Sequence, residues 1–257
     1  MIDSMKQASA TDAGPEVVAH FTARAAQYNA SARWCEDAEV TRLTLEVADP
    51  AAGDRLLDVA CGTGLVSRAF KGRVAGVTGL DLTPAMCTQA LPFLDRLVLG
   101  SAEDMPFQRR MFDVAICRQG IQFVDAPRAV GEMARVTRPG GRIVLINLCA
   151  FGPDDRDECF DIQRLRNPAR RNCFVKEDLV ALLEGAGCRD VQVREHITAE
   201  DVDVWADNGA IAQERCARIR ERYHEASPEF RQRHNVQDAG DGRIVDHMLL
   251  AFVVGRL

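Results

Sequence analysis

Short apolar runs alternate with stretches of helical period along most of this chain. Leu56-Leu57-Asp58-Val59-Ala60 breaks at Cys61-Gly62-Thr63-Gly64. The chain then resumes with Leu65, Val66, Ala69 and Phe70 at helical spacing. A run that stops at glycines and re-enters with a period near 3.6 predicts strand, tight turn and helix. The same reading predicts helices over 15–27, 36–48, 125–136, 154–166 and 175–184, and one opening at Thr83-Pro84. It predicts strands over 55–60, 73–80, 94–100, 112–117, 143–148, 191–197 and 244–257. Strands that alternate with helices predict an α/β fold around a parallel sheet. Residues 199–235 break the alternation. They are long and charged, with Ile211, Cys216, Ile219 and Tyr223 on one helical face. They are expected to form a helical insertion and not core.

Totals narrow the class. Apolar residues make up 47% of 257, which suits one α/β domain over 15–257 with a cap inserted at 199–235. The net charge of −6 argues against a nucleic-acid surface, where a basic stripe is expected. Nine cysteines occur without C-x-x-C or zinc-finger spacing. That points to reduced thiols in a cytoplasmic protein and to no metal. Residues 1–14 are small and polar and are expected to be disordered, with no apolar core of a signal peptide. The apolar run at 248–254 is too short to span a bilayer.

The acid in the first strand selects the ligand. A dinucleotide fingerprint is Gly-x-Gly-x-x-Gly and cradles a pyrophosphate. Here the third glycine position is Ser67, and Asp58 points at the same crevice. A carboxylate there repels a diphosphate and attracts an ammonium. S-adenosylmethionine (SAM) carries an amine, a carboxylate and a ribose but no phosphate. Asp81 lies 17 residues after Gly64 at the tip of the second strand, where an acid bridges ribose hydroxyls.

The segment Leu57-Asp58-Val59-Ala60-Cys61-Gly62-Thr63-Gly64 resembles the first motif of class I SAM-dependent methyltransferases. It is most similar to the branch that holds the ubiquinone and menaquinone C-methyltransferases and many small-molecule methyltransferases. The resemblance covers about 55–148 and the C-terminal strands. It implies a Rossmann-like sheet of seven mostly parallel strands, with an antiparallel last strand, helices on both faces and an N-terminal helical lid. It implies SAM as cofactor, held by Asp58, Ala60, Gly62, Gly64 and Asp81, with Leu82 and Met86 bordering the adenosine. In Ser101-Ala102-Glu103-Asp104-Met105, Glu103 or Asp104 receives the adenine amino group and the main chain touches the ring. Asp104 takes precedence unless the loop is one residue tighter. The backbone at Cys117-Arg118 lies beside the methionine part, and Gln119 and Gln122 face the acceptor. Tyr28 ends the lid helix, and Trp34 is either an anchor or a wall of the acceptor pocket.

Methyl transfer needs alignment more than side-chain chemistry, because positive sulfur already activates the methyl group. A phenol or enol acceptor also needs a base, for which His224 in the cap, His20 and Tyr28 are the candidates. The partners expected are a small-molecule acceptor and a second copy in a homodimer, with no nucleic acid and no membrane. The acceptor pocket is expected between the N-terminal helix, residues 118–124, residues 150–172 and the cap. The rival readings are SAM binding without methylation and a nicotinamide-dependent oxidoreductase.

Overall fold

The structure, a computed structural model, describes residues 14–31 and 37–257. Trp34 and residues 1–13 lie outside the described residues. The expected disorder of 1–14 therefore meets the structure only at Gly14, which opens helix α1 (Gly14–Arg24). A single turn, α2 (Tyr28–Ser31), and α3 (Ala38–Ala48) follow. Asp37 starts α3 by accepting the Glu39 N–H at 2.7 Å, satisfying one of the unpaired donors of a helix start.

The alternation then sets in with β1 (Arg55–Val59), α4 (Leu65–Phe70), β2 (Gly76–Asp81), α5 (Pro84–Ala90) and β3 (Arg96–Leu99). It continues with β4 (Phe112–Arg118), α6 (Ala126–Val136) and β5 (Thr137–Cys149). The second half adds α7 (Arg156–Arg166), α8 (Lys176–Gly185), β6 (Arg189–Asp201), α9 (Val202–Ala206) and α10 (Gln213–Glu225). It ends with α11 (Pro228–Arg233), a two-residue β7 (Gln237–Asp238) and β8 (Ile244–Arg256).

The sheet order is β3-β2-β1-β4-β5-β8-β6. The first five strands are parallel, and β8 runs antiparallel between β5 and β6. This is the expected Rossmann-like arrangement, with one addition: β7 pairs with β8 and brings the described sheet to eight strands. Pairing also lengthens β6. Its register with β8 continues to Asp201 opposite Val245, so 199–201 belong to the sheet and not to the cap.

Strand residues alternate between two apolar layers. Leu56, Val114, Ile116, Val144 and Ile146 face one side, where α3 and α4 bring Val40 and Phe70. Leu57, Ala115, Cys117, Ile143 and Leu145 face the other, under α6 and α8 with Met133 and Leu179. The helices of 202–233 join the first layer. Ile219, Tyr223 and Phe230 are fully buried, each such side chain contributing about 1.5–3 kcal/mol of burial. The expectation that this segment stands outside the core is therefore corrected: its apolar stripe is part of the core. No helix among the described residues is long and apolar enough to cross a membrane.

Candidate active site

Sheet order reverses between β1 and β4, and in such sheets a crevice opens beyond the strands' carboxyl ends. A cleft partly open to solvent lies there. Its floor is the chain leaving β1 and β4, with Asp58, Ala60, Gly62, Arg118 and Gln119. Its walls are Asp81, Leu82 and Met86 on one side and Ser101, Ala102 and Glu103 on the other. Val17, Phe21 and Tyr28 close it from α1 and α2. The lid is tied to the glycine turn: Thr63 Oγ1 donates to Asn29 Oδ1 at 2.8 Å.

Asp58 is buried, and its Oδ2 accepts from the Ser67 N–H at 3.1 Å and from Ser67 Oγ at 2.6 Å. Ser67 lies in the first turn of α4, so this carboxylate meets the positive end of the helix. An internal anion thus stands where a dinucleotide site presents a bare helix end to pyrophosphate. Burial raises the Asp58 carboxyl to about 6, against the Ser67 hydrogen bonds and the Arg118 charge. Asp81 accepts the Gly62 N–H at 2.9 Å through Oδ2 and the Thr83 N–H at 2.8 Å through Oδ1. Burial raises its carboxyl too.

The floor is strained and close-packed. Ala60 and Gln119 both adopt positive φ, 56° and 57°, on either side of the reversal, a conformation found at functional sites. A side chain at Gly120 would place its Cβ 2.5 Å from Ala60 Cβ. Gly64, at φ 81°, needs its missing side chain for another reason than ligand approach: a Cβ there would sit 2.8 Å from Ala90 Cα.

Ten of the residues expected to hold cofactor line this cleft: Tyr28, Asp58, Ala60, Gly62, Asp81, Leu82, Met86, Ala102, Glu103 and Arg118. Four do not. Gly64 packs against α5. Asp104 is exposed, and the buried Glu103 takes the inward place. Glu103 Oε1 also accepts the Asp125 N–H at 2.9 Å. The loop thus runs one residue tighter than the preferred phase. Met105 is buried among apolar side chains under α6, and its N–H donates to Glu132 at 2.8 Å. Cys117 is buried in the same layer, where burial first and the Asp58 charge second push its thiol to about 12.

A second, narrower cavity adjoins the first and shares Phe21, Tyr28, Gln119 and Phe123 with it. Gln122 and Leu148 add to it from the β4 and β5 ends, Gln163, Arg166, Asn167 and Arg170 from α7 and the loop after it. Trp205 is the cap's one contribution. These are the regions expected to form the acceptor pocket, but the cap does not roof it. Helix α10 packs on α7 instead, and a buried network braces them. His234 Nδ1 lies 3.0 Å from Asp246 and Nε2 3.1 Å from Asp155, while Tyr223 donates to Asp246 at 2.6 Å.

That geometry removes two expected bases. His224 is exposed on α10 and lines neither cavity. His20 faces Phe21 edge-on with ring centroids 5.4 Å apart and also lines neither. Burial, then the charges of Arg24, Arg166 and Arg215, lower it to about 4, a weak base at neutral pH. Tyr28 lines both cavities, with the Arg24 guanidinium 4.7 Å from its ring. Sequence reasoning missed Arg170 and His234. Arg170 was visible only as part of a basic loop, and the acids around His234 lie 79 and 12 residues away.

Residues 57–145 match the methyltransferase domain model, the stretch from β1 to β5. The chain therefore carries a methyltransferase domain over 57–145. It is similar to a malonyl-[acyl-carrier protein] O-methyltransferase of Serratia marcescens, 35% identical over 137 residues, covering 52% of this chain and 53% of that protein. It is 34% identical to a demethylmenaquinone methyltransferase of Renibacterium salmoninarum over 118 residues, 44% of this chain and 49% of that one. The uncharacterized methyltransferase YcgJ of Bacillus subtilis is 26% identical over 82% of this chain and 87% of its own. Its crystal structure aligns with a TM-score of 0.79, covering 86% of this chain and 98% of that one. The chain spans about half the length of the first two relatives. The cleft fits SAM: its buried acids suit a ligand with an amine and a ribose, and a carboxylate already occupies the α4 terminus.

Proposed function

We propose that this protein moves a methyl group from SAM to an oxygen or carbon of a small-molecule acceptor. The observation that carries the reading is the pair of cavities meeting at Phe21, Tyr28, Gln119 and Phe123. One is lined by acids and apolar side chains and the other by amides and arginines, so two different ligands meet at one wall. Bound SAM would supply a methyl group on positively charged sulfur. Asp81 would take the ribose hydroxyls, Asp58 the ammonium, Leu82 and Met86 the faces of the adenosine, and Glu103 with the Ala102 backbone the adenine edge. Phe21, Tyr28 and Phe123 would exclude water from the junction, and holding the reacting groups in line supplies most of the catalysis. The relatives' printed activities, on a malonyl carrier protein and on demethylmenaquinone, support a small or carrier-borne acceptor.

A second reading, SAM binding without transfer, draws on one observation: no histidine lines either cavity among the described residues. Titration with S-adenosylhomocysteine and with NADH tests the cofactor. Micromolar binding of the first, about −8 kcal/mol, without binding of the second is expected. NADH binding would overturn the reading. Methyl-labelled SAM offered with an acceptor panel separates transfer from binding, and label that stays on SAM throughout favours the second reading.

A further inference from the structure

The second cavity is lined by polar groups that have no partner inside the protein. Trp205 Nε1, Asn167 Nδ2 and Gln119 Nε2 lack acceptors, and Gln122 Oε1 and Gln163 Oε1 lack donors. Trp205, Asn167, Gln122 and Gln163 are each more than nine-tenths buried. Buried polar groups are ordinarily satisfied, and a cluster left open marks a place where something else completes it. The amides are fixed from behind. Gln122 Nε2 donates to Gln119 Oε1 at 2.9 Å, Gln163 Nε2 to Cys159 Sγ at 2.9 Å, and Asn167 Oδ1 accepts the Ala169 N–H at 3.0 Å. Their open atoms are therefore held in place.

Charge gives the cluster a sign. Arg170 is 7% exposed, donates to Asn172 O at 3.2 Å and lies 5.8 Å from the centre of the Phe123 ring. No carboxylate lies within 4.0 Å of it among the described residues, and none lines the cavity. Arg166 and Arg24 stand in the same lining. Arg166 donates to Trp205 O at 2.7 Å and stacks over the Trp205 ring at 4.7 Å. A buried cation is costly until an anion joins it, and a guanidinium matches the planar fork of a carboxylate.

We infer that this cavity receives a small organic acid that also bears a hydroxyl, its carboxylate on Arg170 with the Asn167 and Trp205 N–H groups nearby, and its hydroxyl donating to Gln122 or Gln163. The inference rests on the methyltransferase reading, because it names the acceptor class for the same pair of cavities.

The test loads the full-length protein with S-adenosylhomocysteine and titrates salicylate against its neutral isostere salicylamide at low salt. Salicylate binds about tenfold tighter or more, the range of a charge-assisted hydrogen bond, and Arg170→Met brings the two probes within about twofold of each other. The S-adenosylhomocysteine affinity stays unchanged. The Arg170→Met protein melts at the same temperature as the parent or higher, since the buried cation it removes has no carboxylate partner among the described residues. Trp205→Phe, which keeps the ring and deletes the N–H, weakens salicylate more than salicylamide. Equal binding of the two probes, or binding of neither, to the loaded protein overturns the inference. So does a preference that survives Arg170→Met, or an Arg170→Met protein that unfolds, which would make Arg170 part of the framework. Failure of S-adenosylhomocysteine itself to bind is read in a separate titration and overturns the cofactor reading beneath it.

Discussion

Replacing His234 with glutamine measures what the buried network between α7, α11 and β8 contributes. His234 is 3% exposed and lies between Asp155 and Asp246, themselves 3% and 2% exposed, with the Phe230 ring stacked at 3.9 Å. Burial alone would favour the neutral imidazole. The Asp155 and Asp246 hydrogen bonds and charges outweigh it and raise His234 from 6.5 to about 9. The Asp155 carboxyl is pulled far below its ordinary range by His234, the Phe151 N–H and Arg233. These two shifts describe one interaction and are counted once. The rise from 6.5 to about 9 is worth about 3 kcal/mol at about 1.4 kcal/mol per pH unit. Removing one partner of a buried pair costs about 3–5 kcal/mol. Asp155 keeps Arg233 at 3.0 Å and two backbone donors, so the lower end applies. The sign is set by the folded group holding its proton more tightly. Its stabilisation is complete below about pH 6.5 and fades as pH rises through about 9. Urea unfolding of both proteins at about pH 6 and about pH 9.5 is the assay. The cysteines buried as thiols lose protons on unfolding above about pH 8.5, lowering the stability of both proteins, so the gap between them is the readout. A gap of about 3 kcal/mol at the lower pH that closes at the higher is expected. A gap that does not change with pH would refute the charged-histidine account.

Three further predictions concern the cleft. If Asp58 receives the ligand's ammonium, S-adenosylhomocysteine affinity falls up to about tenfold per pH unit below about 6, where this carboxyl takes a proton, and Asp58→Asn removes that dependence; calorimetry over the range checks both. Asp81→Asn weakens the same ligand by about 1–3 kcal/mol, and unchanged affinity would show that the ribose lies elsewhere. Gly120→Ala forces a Cβ to within 2.5 Å of Ala60 and lowers stability by about 1–3 kcal/mol, as thermal unfolding would show.

What could be read from the sequence was what is local. The run from Leu56 to Phe70 contains strand, turn and helix within one window, and the acid at Asp81 follows at a spacing that chain geometry constrains. The phase of the 101–105 loop was not local. The Glu103 carboxylate turns inward because the Asp125 N–H, at the start of α6, waits there, and nothing near Asp104 in sequence signals it. The cap was misplaced for a related reason. The charged residues of α10 suggest an outlying helix, but Ile219 and Tyr223 form a stripe that α7 and α9 bury. Nothing beside His234 in the sequence marks it, because both acids that hold it come from other elements. Arg170 carries the sharpest lesson: a basic loop is normally solvated, and only the folded chain shows this guanidinium shut in.

Phe21, Tyr28, Gln119 and Phe123 belong to both cavities at once. A wall with two sides cannot adjust for one occupant without being felt by the other. If a nucleoside fills one side and an acceptor the other, thermodynamic reciprocity requires that whatever factor the first exerts on the affinity of the second, the second returns to the first. Since α1 and α2 supply two of the four side chains, and Asn29 fastens them to Thr63, the N-terminal helices would be the medium of that exchange.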